Sequence, residues 1–139
     1  MDYFYYKKLE VYQHSKELVT AVYQLLAHYP AIEKHSLCDQ LRRAVISVPS
    51  NIAEGFGRVS SKEKIHFLEI AYGSLMEVSC QLDISKDLQY ISDDELSALN
   101  LKIEMIARML SSLRFSILKN GDSSLTQLNQ KTHHPPHKP

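Results

Sequence analysis

The stretch Gln40–Arg58, QLRRAVISVPSNIAEGFGR, carries two helical registers side by side. One is apolar. It begins upstream at Leu37 and continues through Leu41, Ala44, Val48, Ile52 and Phe56 in steps of three and four. The other is polar and runs Gln40, Arg43, Ser47, Asn51, Glu54, Arg58. Both cross Pro49, so the spacing predicts one helix, kinked where proline removes a backbone donor and crowds the carbonyl of Val45. The competing reading splits the stretch near Ser47–Asn51, with Asn51 and Glu54 capping a second helix. Gly55 and Gly57 supply permissive backbone for its end. Plain amphipathicity does not require an ordered polar strip. The strip is therefore either a seam between packed helices or a surface that grips a partner.

Three more helices are expected around this one. Helix 1 is predicted from about Lys7 to Tyr29, with Val11, Ser15, Leu18, Val22, Leu25 and Tyr29 as its core line and Pro30 as its stop. Helix 2 starts near Ser36, which with Asp39 resembles an N-cap pair. Helix 3 opens on a capping box, Ser60 to Glu63, and its core line is Ile65, Leu68, Tyr72, Leu75, Ser79 and Leu82. Its end is expected around Leu88–Tyr90. Helix 4 opens on a second box, Ser92 to Glu95, and carries Leu99, Ile103, Ile106, Leu110, Leu113 and Ile117. Asn120-Gly121 is expected to end it. Short linkers make consecutive helices antiparallel neighbours. The predicted fold is all-α: an antiparallel up-down-up-down four-helix bundle over residues 1–119, with a disordered polar tail over 120–139.

A hairpin turning near Val59–Ser60 pairs residues whose numbers add up to about 120. That register sets Glu54 against His66, Asn51 against Glu69, and Arg43 against Glu77, each pair chemically complementary. Gln40, Arg43, Ser47, Asn51, Glu54, His66, Glu69 and Glu77 are thus the candidate structural seam, a device that specifies one packing more than it adds stability. Gly73-Ser74 would let helix 3 approach a neighbour closely.

The 139 residues hold 16 basic and 16 acidic side chains. Zero net charge argues against strong non-specific nucleic-acid binding, although a local basic patch remains compatible with it. Arg42, Arg43, Arg58, Lys62 and Lys64 lie around helix 2 and the following turn. Tyr3, Phe4, Tyr5 and Tyr6 precede Lys7 and Lys8, the mixture of stacking groups and charge found in single-strand binders. The plainer reading packs these aromatics on the bundle or on another subunit. The candidate nucleic-acid contacts are Arg42, Arg58, Lys62, Lys64, Lys7 and Lys8. Lys102, Arg108 and Arg114 are spaced for a solvated face of helix 4.

Catalytic and metal-binding patterns are mostly missing. The chain has one Glu-x-x-His, Glu63 to His66, where a di-iron bundle needs two and further inward glutamates. Gly55-Phe56-Gly57 follows a helix, whereas a dinucleotide fingerprint follows a strand. No nucleophile elbow occurs. Cys38 and Cys80 have no metal-ligand spacing and read as buried free thiols. His133, His134 and His137 belong to the tail. No cofactor and no metal are expected. Neither a signal peptide nor a run of about 20 apolar residues appears, so the expected setting is cytoplasmic, with no membrane partner.

The runs QLRRAVISVPSNIAEGFGR and SSKEKIHFLEIAYGSLMEVSCQL resemble the four-helix-bundle proteins encoded in intervening sequences of bacterial 23S ribosomal RNA genes, also labelled S23-type ribosomal proteins. The resemblance covers about Tyr3 to Lys119. Its most specific part is Ser47-x-Pro49-x-Asn51-Ile52-Ala53-Glu54-Gly55, with Phe67-Leu68 and Gly73-Ser74-x-x-Glu77 downstream. Such proteins are similar to the accessory variability determinant of diversity-generating retroelements, a basic, nucleic-acid-binding ring pentamer that works with a reverse transcriptase. This chain departs from that relative in its zero net charge. The resemblance implies a non-enzymatic homo-oligomer, a pentamer by analogy, serving as an adaptor for RNA or for a nucleic-acid-processing protein. The alternative is a protein–protein interaction module with no nucleic-acid role. Apolar residues outside the main line of helix 4, namely Met105, Met109 and Phe115, favour self-association in either case.

Overall fold

The computed structural model describes residues 2–131, with side chains through Gly121. Four α-helices account for nearly all of it: α1 (Glu10–Leu26), α2 (Leu37–Phe56), α3 (Ser61–Asp87) and α4 (Asp93–Lys131). There is no strand among the described residues. Short 3₁₀ turns at Tyr5–Lys8 and Ala31–Glu33 precede α1 and α2.

Local chemistry accounts for most boundaries. Leu9 is extended (φ −73°, ψ 129°), so the chain breaks between the first 3₁₀ turn and α1, later than the predicted start at Lys7. α1 ends at Leu26, not Tyr29. Its last turn tightens through His28 N–H to Leu25 O and Tyr29 N–H to Leu26 O, because the residue before Pro30 is kept out of helical geometry. Ser36 precedes α2, but its side chain caps nothing; Asp39 instead faces Arg42 and Arg43. α2 passes Pro49 as one helix, which excludes the split reading. Proline has no N–H to offer Val45 O, and the expected bend rests on that loss. At α3, Ser60 Oγ accepts from Glu63 N–H (3.1 Å). The box at α4 is reciprocal: Ser92 Oγ accepts from Glu95 N–H, and Glu95 Oε1 accepts from Ser92 N–H. α3 ends in a left-handed Gln89 (φ 64°) with Tyr90 N–H donating to Ser85 O, a Schellman closure.

α4 does not stop at Asn120-Gly121. It continues to Lys131, so twelve residues assigned to the tail (120–131) are helical; His133, His134 and His137 lie outside the described residues. Gly121 serves as a point of close approach, not a helix end. A Cβ there would lie 3.0 Å from Ser61 Oγ, at the start of α3.

The core is a continuous apolar cluster. Leu18, Leu41, Ile52, Leu68, Leu75, Leu82, Ile106 and Leu110 are fully enclosed. Burying each such side chain is worth about 1.5–3 kcal/mol. The predicted core lines of α1, α2 and α4 lie inside, with Phe56, Leu113 and Ile117 at the margin. α3 differs: Tyr72 is exposed and Ser79 half-buried, while Ala71 and Val78 point inward. Exposed apolar residues, Ile70, Tyr72, Met76 and Ile84, interrupt the polar face of α3, so periodicity alone could not choose its inner face. Cys38 is buried, but Cys80 is exposed, against the expectation of two buried thiols.

Candidate functional site

α2 packs more extensively on α3 than on any other element. Ser47 and Ser74 hydroxyls meet at 2.7 Å, and an added Cβ on Gly55 would lie 3.1 Å from Phe67 Cβ. Both contacts fit the hairpin register with its turn at Val59–Ser60. The same register fails for the three predicted cross-helix pairs, none of which forms a hydrogen bond or ion pair among the described residues. Glu54 binds Arg58 on its own helix (2.8 Å). Arg43, largely exposed, faces Asp39 (3.5 Å), also on its own helix. Glu69 faces Arg114 of α4 (3.6 Å), so Arg114 is not simply part of a solvated face. Gln40, His66 and Glu77 are exposed. Register sets height along the hairpin. It does not set direction around each helix, and the strip lies beside the buried line of α2, not within the interface.

Only the middle of the strip acts as a seam. Asn51 Nδ2 donates to Ser47 O (2.8 Å) and Ser47 Oγ (2.9 Å), and Ser47 meets the buried Ser74. Ser74 thus makes the close approach foreseen for Gly73-Ser74. Gly73 does not: nothing lies within 4 Å of where its Cβ would be. Gly73 opens instead onto a groove between α3 and α4 floored by Leu68 and Leu110 and rimmed by Glu69 and Arg114.

The basic candidates divide between two ends of α2. Arg42 lies near its start, where Nη2 donates to Lys34 O (2.8 Å) and faces Asp39 (3.8 Å). Arg58, Lys62 and Lys64 lie at the α2–α3 turn, about 24 Å further along at 1.5 Å per residue. The N-terminal segment is brought to this same end. Tyr5 leans on Phe56 (ring centroids 6.1 Å apart), and Tyr6 meets Tyr12 edge-on (4.9 Å). The turn therefore collects Lys7, Lys8, Arg58, Lys62 and Lys64 beside Tyr3, Phe4, Tyr5, Phe56 and Phe67.

Several of these cations are already engaged. The Arg58 guanidinium stacks over Phe67 at 4.8 Å while bound to Glu54. Lys64 lies over Phe56 at 5.6 Å and donates to the Arg58 carbonyl. Lys8 pairs with Asp2 at 2.9 Å; their bond pulls the Asp2 carboxyl below its usual range and pushes the Lys8 ammonium up. Lys7 lies over Phe4 at 4.5 Å. Lys62 is exposed. The sequence placed Phe56 on the apolar line of helix 2 and Phe67 within the resemblance, but gave neither of them, nor Asp2, a place in this site. A usable signal existed: Glu54 and Arg58 stand four apart, acid first, the favourable order for a helical pair.

At the opposite end, Tyr90 Oη donates to Glu33 Oε2 (2.7 Å), and its ring meets that of Tyr29 (5.3 Å). The buried Tyr29 hydroxyl has no partner among the described residues. Among those residues no group of three metal-ligating side chains gathers, and no helix is long and apolar enough to cross a membrane.

A family model described as 23S rRNA-intervening sequence protein matches residues 7–112. Among solved structures, the chain is similar to a protein of unknown function from the S23 ribosomal protein family of Bacteroides thetaiotaomicron VPI-5482. The two are 22% identical, the match covers 75% of this chain and 97% of that one, and the TM-score is 0.68. At that identity the likeness speaks for the fold alone. No curated protein matches.

Proposed function

The chain belongs to the 23S rRNA-intervening sequence protein family, and from that premise we propose that it is a non-enzymatic adaptor. In this reading it assembles with copies of itself and touches RNA, or a nucleic-acid-processing protein, at the α2–α3 turn. The observation that carries the reading is convergence. Two segments some fifty residues apart in sequence, one aromatic and basic, the other basic, meet where Tyr5 rests on Phe56. Self-assembly draws support from exposed apolar side chains on two helices, Ile70 and Ile84 on α3 and Met105, Phe115 and Leu118 on α4. A ring of five is the state expected by resemblance to the retroelement accessory protein.

The test is retention of RNA by the purified full chain at low salt. Charge reversal at Lys62 and Lys64 is expected to weaken it. Reversal at Arg58 is expected to weaken it too, with loss of the Glu54 pair as a side effect that Glu54→Gln measures separately. No retention even at low salt would remove the RNA part. Light scattering that finds a monomer at high concentration would remove the assembly part.

A second reading is a protein–protein module without a nucleic-acid role. It is favoured by the zero net charge and by the carboxylates already bound to Lys8 and Arg58. It predicts a protein partner whose capture survives nuclease treatment.

A further inference from the structure

We propose that the turn end of the bundle is a stacking platform for an unpaired RNA strand, held through its bases more than through its phosphates. The inference rests on the RNA-adaptor reading and specifies the form of RNA. Three consecutive aromatic side chains stand in water there: Tyr3 is 80% exposed, Phe4 58% and Tyr5 52%. They are held in place by the backbone. Phe4 N–H donates to Asp2 Oδ1 (3.0 Å), and Lys7 N–H donates to Phe4 O (3.0 Å). Tyr5 and Tyr6 anchor the segment on Phe56 and Tyr12, leaving the rings of Tyr3 and Phe4 as the projecting faces.

Charge decides between paired and unpaired strands. Of the five cations at this end, Lys8 is bound to Asp2 and Arg58 to Glu54. Lys7 lies over Phe4, and Lys64 lies over Phe56 and donates to the Arg58 carbonyl, but neither faces a carboxylate among the described residues; with the exposed Lys62 they keep their charge for phosphates. A duplex hides its base faces and is held mainly by phosphate contacts, for which three lysines give little affinity. An unpaired strand offers every base as a π-face, and each stack on an aromatic side chain strengthens binding by about 5- to 150-fold. Two exposed rings beside three lysines therefore suit the unpaired strand. The Lys7 ammonium over one face of Phe4 adds a positive charge at the stacking position.

The experiment uses the full chain and fluorescence anisotropy with a labelled mixed-sequence RNA oligonucleotide, alone and annealed to its complement. The single strand is expected to bind at least about tenfold more tightly than the duplex. Its log affinity is expected to fall with log salt at a slope of about −2, as for three phosphate contacts. Tyr3→Ala with Phe4→Ala is expected to weaken strand binding by about tenfold or more and leave the slope unchanged. Tyr3→Trp with Phe4→Trp is expected to retain it. Lys62→Glu with Lys64→Glu is expected to flatten the slope. These side chains lie outside the core, and circular dichroism checks the fold of each variant. A duplex bound as tightly as the strand, or an unaffected alanine pair, overturns the stacking proposal while leaving the RNA reading standing. Absence of any RNA binding by the unaltered chain at low salt overturns both.

Discussion

Ser74 shows how much one hydroxyl decides. It is buried on α3, meets Ser47, and through it joins a chain that ends at Asn51. Ser74→Ala removes one link but leaves Ser47 bonded to Asn51, so the expected cost is about 1 kcal/mol by urea unfolding. A substantially larger loss would mean that the three side chains act as one unit. Gln89 presents the opposite case. Its φ of 64° belongs to the left-handed region, where a side chain is strained and glycine is not. Gln89→Gly is expected to stabilise the protein by about 1 kcal/mol, read as a raised urea midpoint with unchanged slope.

At the scale of elements, two glycines in helices have opposite meanings. Gly55 lies where α2 meets α3, and an added methyl would come within 3.1 Å of Phe67 Cβ and 3.2 Å of the Lys64 carbonyl. A backbone carbonyl cannot swing away. Overpacking of about 1–3 kcal/mol should therefore exceed the gain of about 1 kcal/mol in helix propensity, and Gly55→Ala should destabilise. Gly73 has open space in place of its side chain, so Gly73→Ala should stabilise by about 1 kcal/mol. Thermal unfolding of the two variants side by side checks the pair of signs. Gly73→Ala also narrows the α3–α4 groove, so loss of a partner without loss of stability would mark that groove as occupied in the assembly.

For the whole molecule, the end opposite the turn sets an alkaline limit. Burial raises the Tyr29 hydroxyl above its ordinary pKa, and the hydrogen bond to Glu33 raises Tyr90. The Cys38 thiol is raised by burial as well. In each case the folded chain holds the proton more tightly than the unfolded chain does. Their contribution is complete below the unfolded values and disappears as pH rises through the folded ones. Stability is therefore expected to fall as pH rises above about 9, where the unfolded thiol and phenols begin to titrate. Tyr90→Phe should start lower, having lost the Glu33 bond, and decline less steeply. An identical decline in the variant would rule out Tyr90 as a contributor.

The sequence by itself determined four helices, their approximate ends apart from the last of α4, and most of the core. Those features depend on local rules: capping boxes at Ser60 and Ser92, proline after α1, and apolar steps of three and four. It also placed α2 and α3 at the right height, as the Ser47–Ser74 contact demonstrates. Only the tertiary structure decided direction around the helix axis. It turned Ala71 and Val78 of α3 inward and Tyr72 outward, because a helix with apolar residues on both its faces has no clear inner side until its neighbours are present. It returned Arg43 and Glu54 to partners on their own helix and gave Glu69 to α4. It carried α4 past Gly121, where the missing side chain admits Ser61. It also brought Tyr5 to Phe56, a contact that no periodicity encodes, because the N-terminal segment reaches α2 through space and not along a helix. The features set by local backbone chemistry were legible in the sequence. Those set by which side chains share a volume became visible only when the helices were packed.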